Sequence, residues 1–209
     1  MTAWRLGLAL LAVFAVLVAA PELVAPQSPF ALDPARALQP PSAAHWFGTD
    51  DVGRDLFARV VHGTRITLGL VTLSLLLACV IGGGLGIVAG FAGRWFDLGA
   101  GRIADMIQTF PPIIAGVMIT GVLGPGAANL ILALAIIYIP TFFRIGRSAA
   151  LSEAQLTYVE AARAAGFTET SILLRQVVPN VLPVLVLQYV IMFPLALQIE
   201  AALGFLGLG

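Results

Sequence analysis

A polytopic all-α membrane protein with five spanning helices is the fold the sequence predicts, on three observations. The 209 residues are 59% hydrophobic and only 11% charged, with a mean hydropathy of +0.98, whereas a soluble domain carries about 25% charged residues. The charges are segregated, leaving long stretches free of Arg, Asp and Glu. Those stretches meet or exceed the ~20 residues needed to cross ~30 Å of hydrocarbon at ~1.5 Å per residue.

The first span runs from Leu6 to about Val24. Arg5, the apolar stretch and Val18-Ala19-Ala20 also mimic a cleaved signal peptide. Pro21 just after that cut, and the apolar Leu23-Val24-Ala25 beyond it, favour an anchor. A Pro-rich stretch, Pro21 to Pro41, should be extended or irregular. Thr49 then offers an N-cap, with Asp50 and Asp51 suited to a helix N-terminus. Val52, Leu56, Phe57, Val60 and Val61 recur at helical spacing, and Asp55 and Arg59 stand four residues apart. This predicts an amphipathic helix at the outer interface, leading into the second span.

The second span lies between Arg65 and Arg94, with Ala78, Gly82, Gly86 and Gly90 on one stripe that lets a neighbouring helix approach closely. The region between Asp105 and Arg144 is too long for one helix, and Gly124-Pro125-Gly126 divides it into spans near Ile107–Leu123 and Ala128–Phe143. The last span lies between Arg175 and Glu200, where Pro194 should kink or locally unwind the helix unless neighbours satisfy the freed carbonyl. Arginine placement orients the chain. With the N-terminus cytoplasmic, Arg5, Arg94, Arg102, Arg144, Arg147, Arg163 and Arg175 fall inside, while six acids, Glu22, Asp33, Asp50, Asp51, Asp55 and Glu200, fall outside.

The insert from Arg144 to Val178, about 35 residues, is long for a helix–helix connection. Thr157 or Ser152 can cap a helix carrying Tyr158 to Ala165, and Gly166 suits the left-handed position that ends it. Thr168 then caps a second helix, Glu169 to about Val178. Ala161, Ala162, Ala164 and Ala165 form a low-relief surface beside Glu160 and Arg163, where another surface could come close.

Glu160-Ala161-Ala162, Gly166 and Pro179 match in spacing a signature of Glu-Ala-Ala, three residues, Gly, nine residues, then Ile-x-Leu-Pro, with Gln176 and Val178 in place of Ile and Leu. Asn180 follows the proline. Gly48-Thr49-Asp50-Asp51-x-Gly53-Arg54-Asp55 and Gly204-Phe205-Leu206-Gly207-Leu208-Gly209 are further matches in order. On these motifs the chain resembles the transmembrane permease subunits of bacterial ABC importers, specifically the dipeptide, oligopeptide and nickel group. The resemblance implies a multi-pass protein of the bacterial inner membrane, with residues 1–65 as first helix plus periplasmic segment and 66–209 as permease core. It also implies that the loop at about 144–178 is a coupling element. Its contacts with a separate ATP-binding cassette ATPase would come from Tyr158, Glu160, Ala161, Ala162, Arg163, Ala165, Gly166 and Phe167. A second permease subunit, forming a heterodimer, and a periplasmic or lipid-anchored solute-binding protein are the other implied partners. Family members have a sixth span after the terminal glycine motif, so the expectation is a chain truncated at Gly209.

No GxxxxGK[ST] phosphate loop occurs, so ATP chemistry would belong to a partner. Zero net charge, with eleven basic and eleven acidic residues, gives no basis for a nucleic-acid partner. Cys79 alone makes neither a disulfide nor a cysteine metal site, and no cofactor is expected. An ion-coupled secondary transporter or channel-like protein is the alternative, but the predicted span interiors hold no ionisable relay, only Gln108, Asn129 and Gln188. An intramembrane enzyme would need paired carboxylates, a Ser/His arrangement or HExxH, but His45 and His62 lie in the outer segment and no helix interior presents two acids. His45 and His62, 17 residues apart without a third ligand, are a poor nickel site. Gln188, Tyr189 and Gln198 on the last span and Tyr138 on the fourth are the candidates for a translocation path; interhelical hydrogen bonding explains them equally well.

Overall fold

The computed structural model describes residues 2–209, with side chains for all but Thr2, Ala3 and Arg94. Among these residues the regular structure is helical, and the one extended pairing is an isolated bridge between Thr49 and Asp55. The chain divides into two compact units, residues 1–69 and 70–209.

In the first unit, α1 (Thr2–Ala19) is followed by a helical turn at Pro21–Val24, an irregular segment and the start of α2 (Leu56–Ala92). The predicted first span stops early, at Ala19, because Pro21 drives the preceding Ala20 out of the helical region to φ −144°. Ala25, Ala58 and Val61 are buried together, with Leu17, Val24 and Phe57 against them. Phe57 also carries Trp46 and Phe47, at ring-centroid distances of 4.8 and 5.2 Å.

Thr49 does not cap the helix. It is buried, accepts the Gln39 N–H at 2.9 Å and donates to the Arg36 carbonyl. Asp50 instead accepts the N–H groups of Val52 and Arg54 at 3.0 and 2.9 Å, a local turn that competes with helix formation. Burial pushes the Asp50 carboxyl up, but these N–H groups and the Arg54 guanidinium outweigh it and hold the group below its ordinary value. Gly53 completes the turn with φ +78°, and a Cβ there would collide with the Asp33 carbonyl. The helix therefore begins only after Asp55, whose Oδ1 accepts the Ala58 N–H at 2.6 Å. The expected Asp55–Arg59 pair is not made, since Asp55 holds His45 at 2.8 Å and Arg59 faces Asp50 at 3.4 Å. No separate amphipathic helix forms, because Leu56 to Val61 are the first turns of α2.

The second unit contains the rest of α2 and five further helices. These are α3 (Arg94–Gln108), α4 (Pro112–Leu123), α5 (Ala127–Glu153), α6 (Thr157–Ala164) and α7 (Glu169–Phe205). Helix α5 lies at the centre. Its Leu130, Leu134 and Phe142 are fully buried, in one cluster with Leu75 of α2 and Ile172, Val177, Val181 and Leu203 of α7. The small-residue stripe does what its spacing predicts. A Cβ at Gly82, Gly86 or Gly90 would collide with the carbonyl oxygen of Ile139, Phe143 or Arg147, respectively. The two backbones thus meet at every fourth residue of both helices.

Among the described residues, α2, α5 and α7 are long and apolar enough to cross a membrane, and α3 with α4 would make a fourth span if taken together. That pair corrects the predicted Ile107–Leu123 helix: it is bent by 91° at a break. The cause is Pro111-Pro112. Each proline pushes the residue before it toward extended backbone, and Pro111 sits at ψ 138°. The Gly124-Pro125-Gly126 break appears as expected, between Leu123 and Ala127.

Arg144 and Arg147, expected in a loop, belong to α5 and tie α3 to it. Arg144 Nη2 lies 2.7 Å from Asp105 Oδ1, Arg147 donates from Nε and Nη2 to the two carboxylate oxygens of Asp97, and Gln108 Nε2 donates to Thr141 at 3.3 Å. Helix α7 is continuous through Pro179, Pro183 and Pro194, and starts well before the predicted Arg175. Pro179 has no N–H for the Arg175 carbonyl. The helix answers with a π-helical turn at Leu173–Val177 instead of a break. Glu200 is a buried residue of α7.

Candidate functional site: the α6 hairpin

Helix α6 connects the ends of two long helices. Its N-cap position is Leu156, which supplies no side-chain bond, so neither Thr157 nor Ser152 serves as the expected cap. Its C-terminus follows the sequence closely. Gly166 takes φ +84°, its N–H donates to the Arg163 carbonyl at 3.0 Å, and the Phe167 N–H reaches the Ala162 carbonyl at 3.1 Å, the bond pattern of a glycine-terminated helix. Gly207 ends α7 in the same way, with Leu208 N–H on the Leu203 carbonyl at 3.1 Å. Thr168 then caps α7 by accepting the Ser171 N–H at 3.3 Å.

One face of α6 is anchored. Val159 and Ala162, three residues apart, are buried in the main core with Ile172 and Val177. This corrects the expectation for Ala162, whose side chain is turned inward by the 3.6-residue period. Glu160, Ala161, Arg163, Ala165, Gly166 and Phe167 are exposed, and Tyr158 is exposed at the N-terminal end. Arg163 makes a double bond pair to Glu169, at 2.8 and 3.1 Å, and lies 5.6 Å over the ring of Phe91. The ion pair holds the Glu169 carboxyl below its ordinary 4.5 and raises the guanidinium.

Two residues that sequence reasoning missed complete the hairpin. Tyr158 Oη donates to Glu153 Oε1, and Asn180 Nδ2 lies 3.0 Å from both that oxygen and Tyr158 Oη. Burial and the Glu153 acceptor push the Tyr158 hydroxyl up, so it stays a donor at neutral pH. Asn180 had a signal, as the residue after Pro179; Glu153 had none beyond its position at the end of α5.

The four translocation-path candidates do not share one cavity. Tyr138 lines a space of about 210 Å³ beside the α3–α4 break, with Gln108 and Thr141. Tyr189 Oη donates to the Thr72 carbonyl of α2 at 3.2 Å. Gln188 is half-buried and Gln198 exposed, and neither makes a hydrogen bond among the described residues. His45 and His62 have separate partners, Asp55 and the Ala25 carbonyl.

Long apolar helices packed through glycine, with a short exposed helix clamped at their polar ends, define a polytopic all-α membrane permease. Residues 82–209 match the model of the binding-protein-dependent transport system inner membrane component. The chain belongs to that family. It is 38% identical over 203 residues to a dipeptide transport system permease protein of Alkalihalophilus pseudofirmus, covering 97% of this chain and 67% of the relative. It is 39% identical over 169 residues to a glutathione transport system permease protein of Pectobacterium atrosepticum, covering 81% and 56%. A probable D,D-dipeptide transport system permease protein of Escherichia coli is 40% identical over 188 residues, covering 89% and 62%. The chain thus spans between 56% and 67% of the length of these relatives. Membership and the apolar helices make it a multi-pass inner-membrane protein.

Proposed function

We propose that the chain is the permease subunit of an ATP-driven ABC importer for peptides or a related small solute, and that α6 and the Gly166 turn are where a separate ATPase couples. The observation that carries this reading is the one-sided anchoring of α6. Val159 and Ala162 hold it to the core, while Glu160, Ala161, Arg163, Ala165, Gly166 and Phe167 remain exposed. A helix held this way offers a small-residue surface to a partner without losing its own attachment.

The division into a membrane-anchored segment, 1–65, and a permease core, 66–209, belongs to the same proposal, as does a cytoplasmic N-terminus, supported by the arginine distribution. A second permease subunit is supported by α7, whose most apolar window is only 11% buried against 44% for α2 and 50% for α5. Gln198 points outward from that helix, and an amide is costly to expose to hydrocarbon. Gln188, Gln198, Tyr189 and Tyr138 are the proposed path-lining groups. A periplasmic or lipid-anchored binding protein would deliver the solute.

Co-purification of the assembled importer tests the coupling site. Glu160→Arg reverses an exposed charge and should release the ATPase while the chain still inserts in the membrane. Gly166→Pro should do the same more severely, since proline can adopt neither φ +84° nor the N–H bond to Arg163. Full retention of the ATPase by inserted Glu160→Arg and Gly166→Pro chains would overturn the reading.

A further inference from the structure

Helix α6 is held by two kinds of contact. The apolar ones, through Val159 and Ala162, are non-directional and allow sliding. The polar ones fix direction, and at the N-terminal end they close a ring. Glu153 is the last residue of α5, Tyr158 lies in the first turn of α6, and Asn180 lies on α7, so the three bonds join three helices pairwise. The chemistry of each residue suits its vertex. Glu153 Oε1 accepts twice, Tyr158 Oη donates once and accepts once, and the Asn180 amide donates to both oxygens, which lie close enough together to share one N–H. An aspartate at position 180 would oppose Glu153 instead.

We propose that Glu153, Tyr158 and Asn180 are positioning residues forming a latch that fixes α6 at one angle to α5 and α7, so that a displacement of α6 reaches both long helices together. The latch rests on the reading of α6 as the coupling element. Helix α5 has 27 residues, roughly 40 Å at ~1.5 Å per residue, so an angle set at its end is carried across the bilayer. The separations involved, 22 and 27 residues, make this a tertiary contact and not a local turn.

The test uses the whole importer in nanodiscs, with Cys79→Ala and spin labels at Ala164→Cys and Leu187→Cys, with and without trapping by ATP and orthovanadate. With the latch intact, the distance between the labels on α6 and α7 stays the same on trapping. In Tyr158→Phe and Glu153→Ala, trapping should broaden that distance distribution about twofold as α6 moves alone. Glu153→Gln keeps an acceptor oxygen and should behave as the unsubstituted chain, which mere loss of folding would not produce. Equal distributions in all variants, or movement in the unsubstituted chain as large as in Tyr158→Phe, would overturn the latch. Loss of the ATPase from Tyr158→Phe would overturn it too, making Tyr158 a docking residue. Failure of the coupling reading shows separately, as ATPase retention by Glu160→Arg.

Discussion

Gly86→Ala adds one methyl group where two backbones touch. The new Cβ would overlap the Phe143 carbonyl oxygen and lie 2.9 Å from the Arg147 nitrogen. Both neighbours are main-chain atoms of α5, so no side chain can rotate away, and the helices must separate. Overpacking of this kind costs about 1–3 kcal/mol, against a helix-propensity gain of about 0.5–1 kcal/mol for replacing glycine. Gly84 supplies the control, because it is two residues away in the same helix, is exposed, and has nothing within 4 Å of its Cβ position. Gly84→Ala should therefore keep the propensity gain alone. The two variants should differ by the overpacking cost alone, about 1–3 kcal/mol, which at about 2–4 °C per kcal/mol for a chain of this size is about 2 °C or more in thermal midpoint. Thermal unfolding in mild detergent, followed by circular dichroism, measures it. Equal midpoints for Gly84→Ala and Gly86→Ala would refute close backbone packing between α2 and α5.

Three further outcomes follow from particular contacts. Asp55→Ala removes the cap on Ala58 N–H and should cost about 1 kcal/mol, within a range of about 0.5–2, in the same unfolding assay. The Glu169 carboxyl is held below its ordinary 4.5 by Arg163, so its contribution is present above that value and is lost as pH falls through the lower folded value. Hydrogen exchange of residues 165–168, corrected for intrinsic rates, should rise as pH drops below 4.5 in the native chain, and Glu169→Gln should abolish that dependence. A double-mutant cycle on Asp97→Ala and Arg147→Ala should give a coupling of about 0.5–1 kcal/mol, limited by solvent screening of the half-exposed guanidinium; additivity would mean that α3 is not held by this pair.

What was legible in the sequence was local. Gly82, Gly86 and Gly90 announce a close contact because a four-residue period is a property of one helix, and Gly166 announces a turn because φ +84° is glycine's region. The Pro111-Pro112 break was equally visible but overshadowed by the Gly-Pro-Gly signal that follows. Thr49 was misread because cap preference ignores what else can bind the hydroxyl, and here Gln39 and Arg36 take it. The last span was expected to begin after Arg175, whereas a π turn ahead of Pro179 lets α7 begin at Glu169. Glu153 was beyond reach for a different reason. Its partners are set by how α5 and α7 pack, and nothing within five residues encodes a bond to Asn180.

Helix α5 meets its neighbours through contacts of different stiffness, and that difference orders their consequences. Against α2 the carbonyls of Ile139, Phe143 and Arg147 rest where glycine Cβ atoms would be, so almost no separation is tolerated without losing contact. Against α3 a small buried contact of Ala104 with Ala89 and Phe143 is flanked by partly exposed ion pairs, which stretch by an ångström or admit water at little cost. Helices α2 and α5 therefore behave as one body, with α3 its compliant neighbour. Substitutions in the glycine stripe should accordingly register as lost stability, and substitutions at Asp97 or Asp105 chiefly as increased mobility of α3. The glycine stripe joins the C-terminal half of α5 to α2, and Glu153, at that same end, joins α5 to α6 and α7. A rigid backbone contact and a directional ring thus sit next to each other at the end of α5 that meets the short helix, so movement at the ring is resisted by α2 and α5 together.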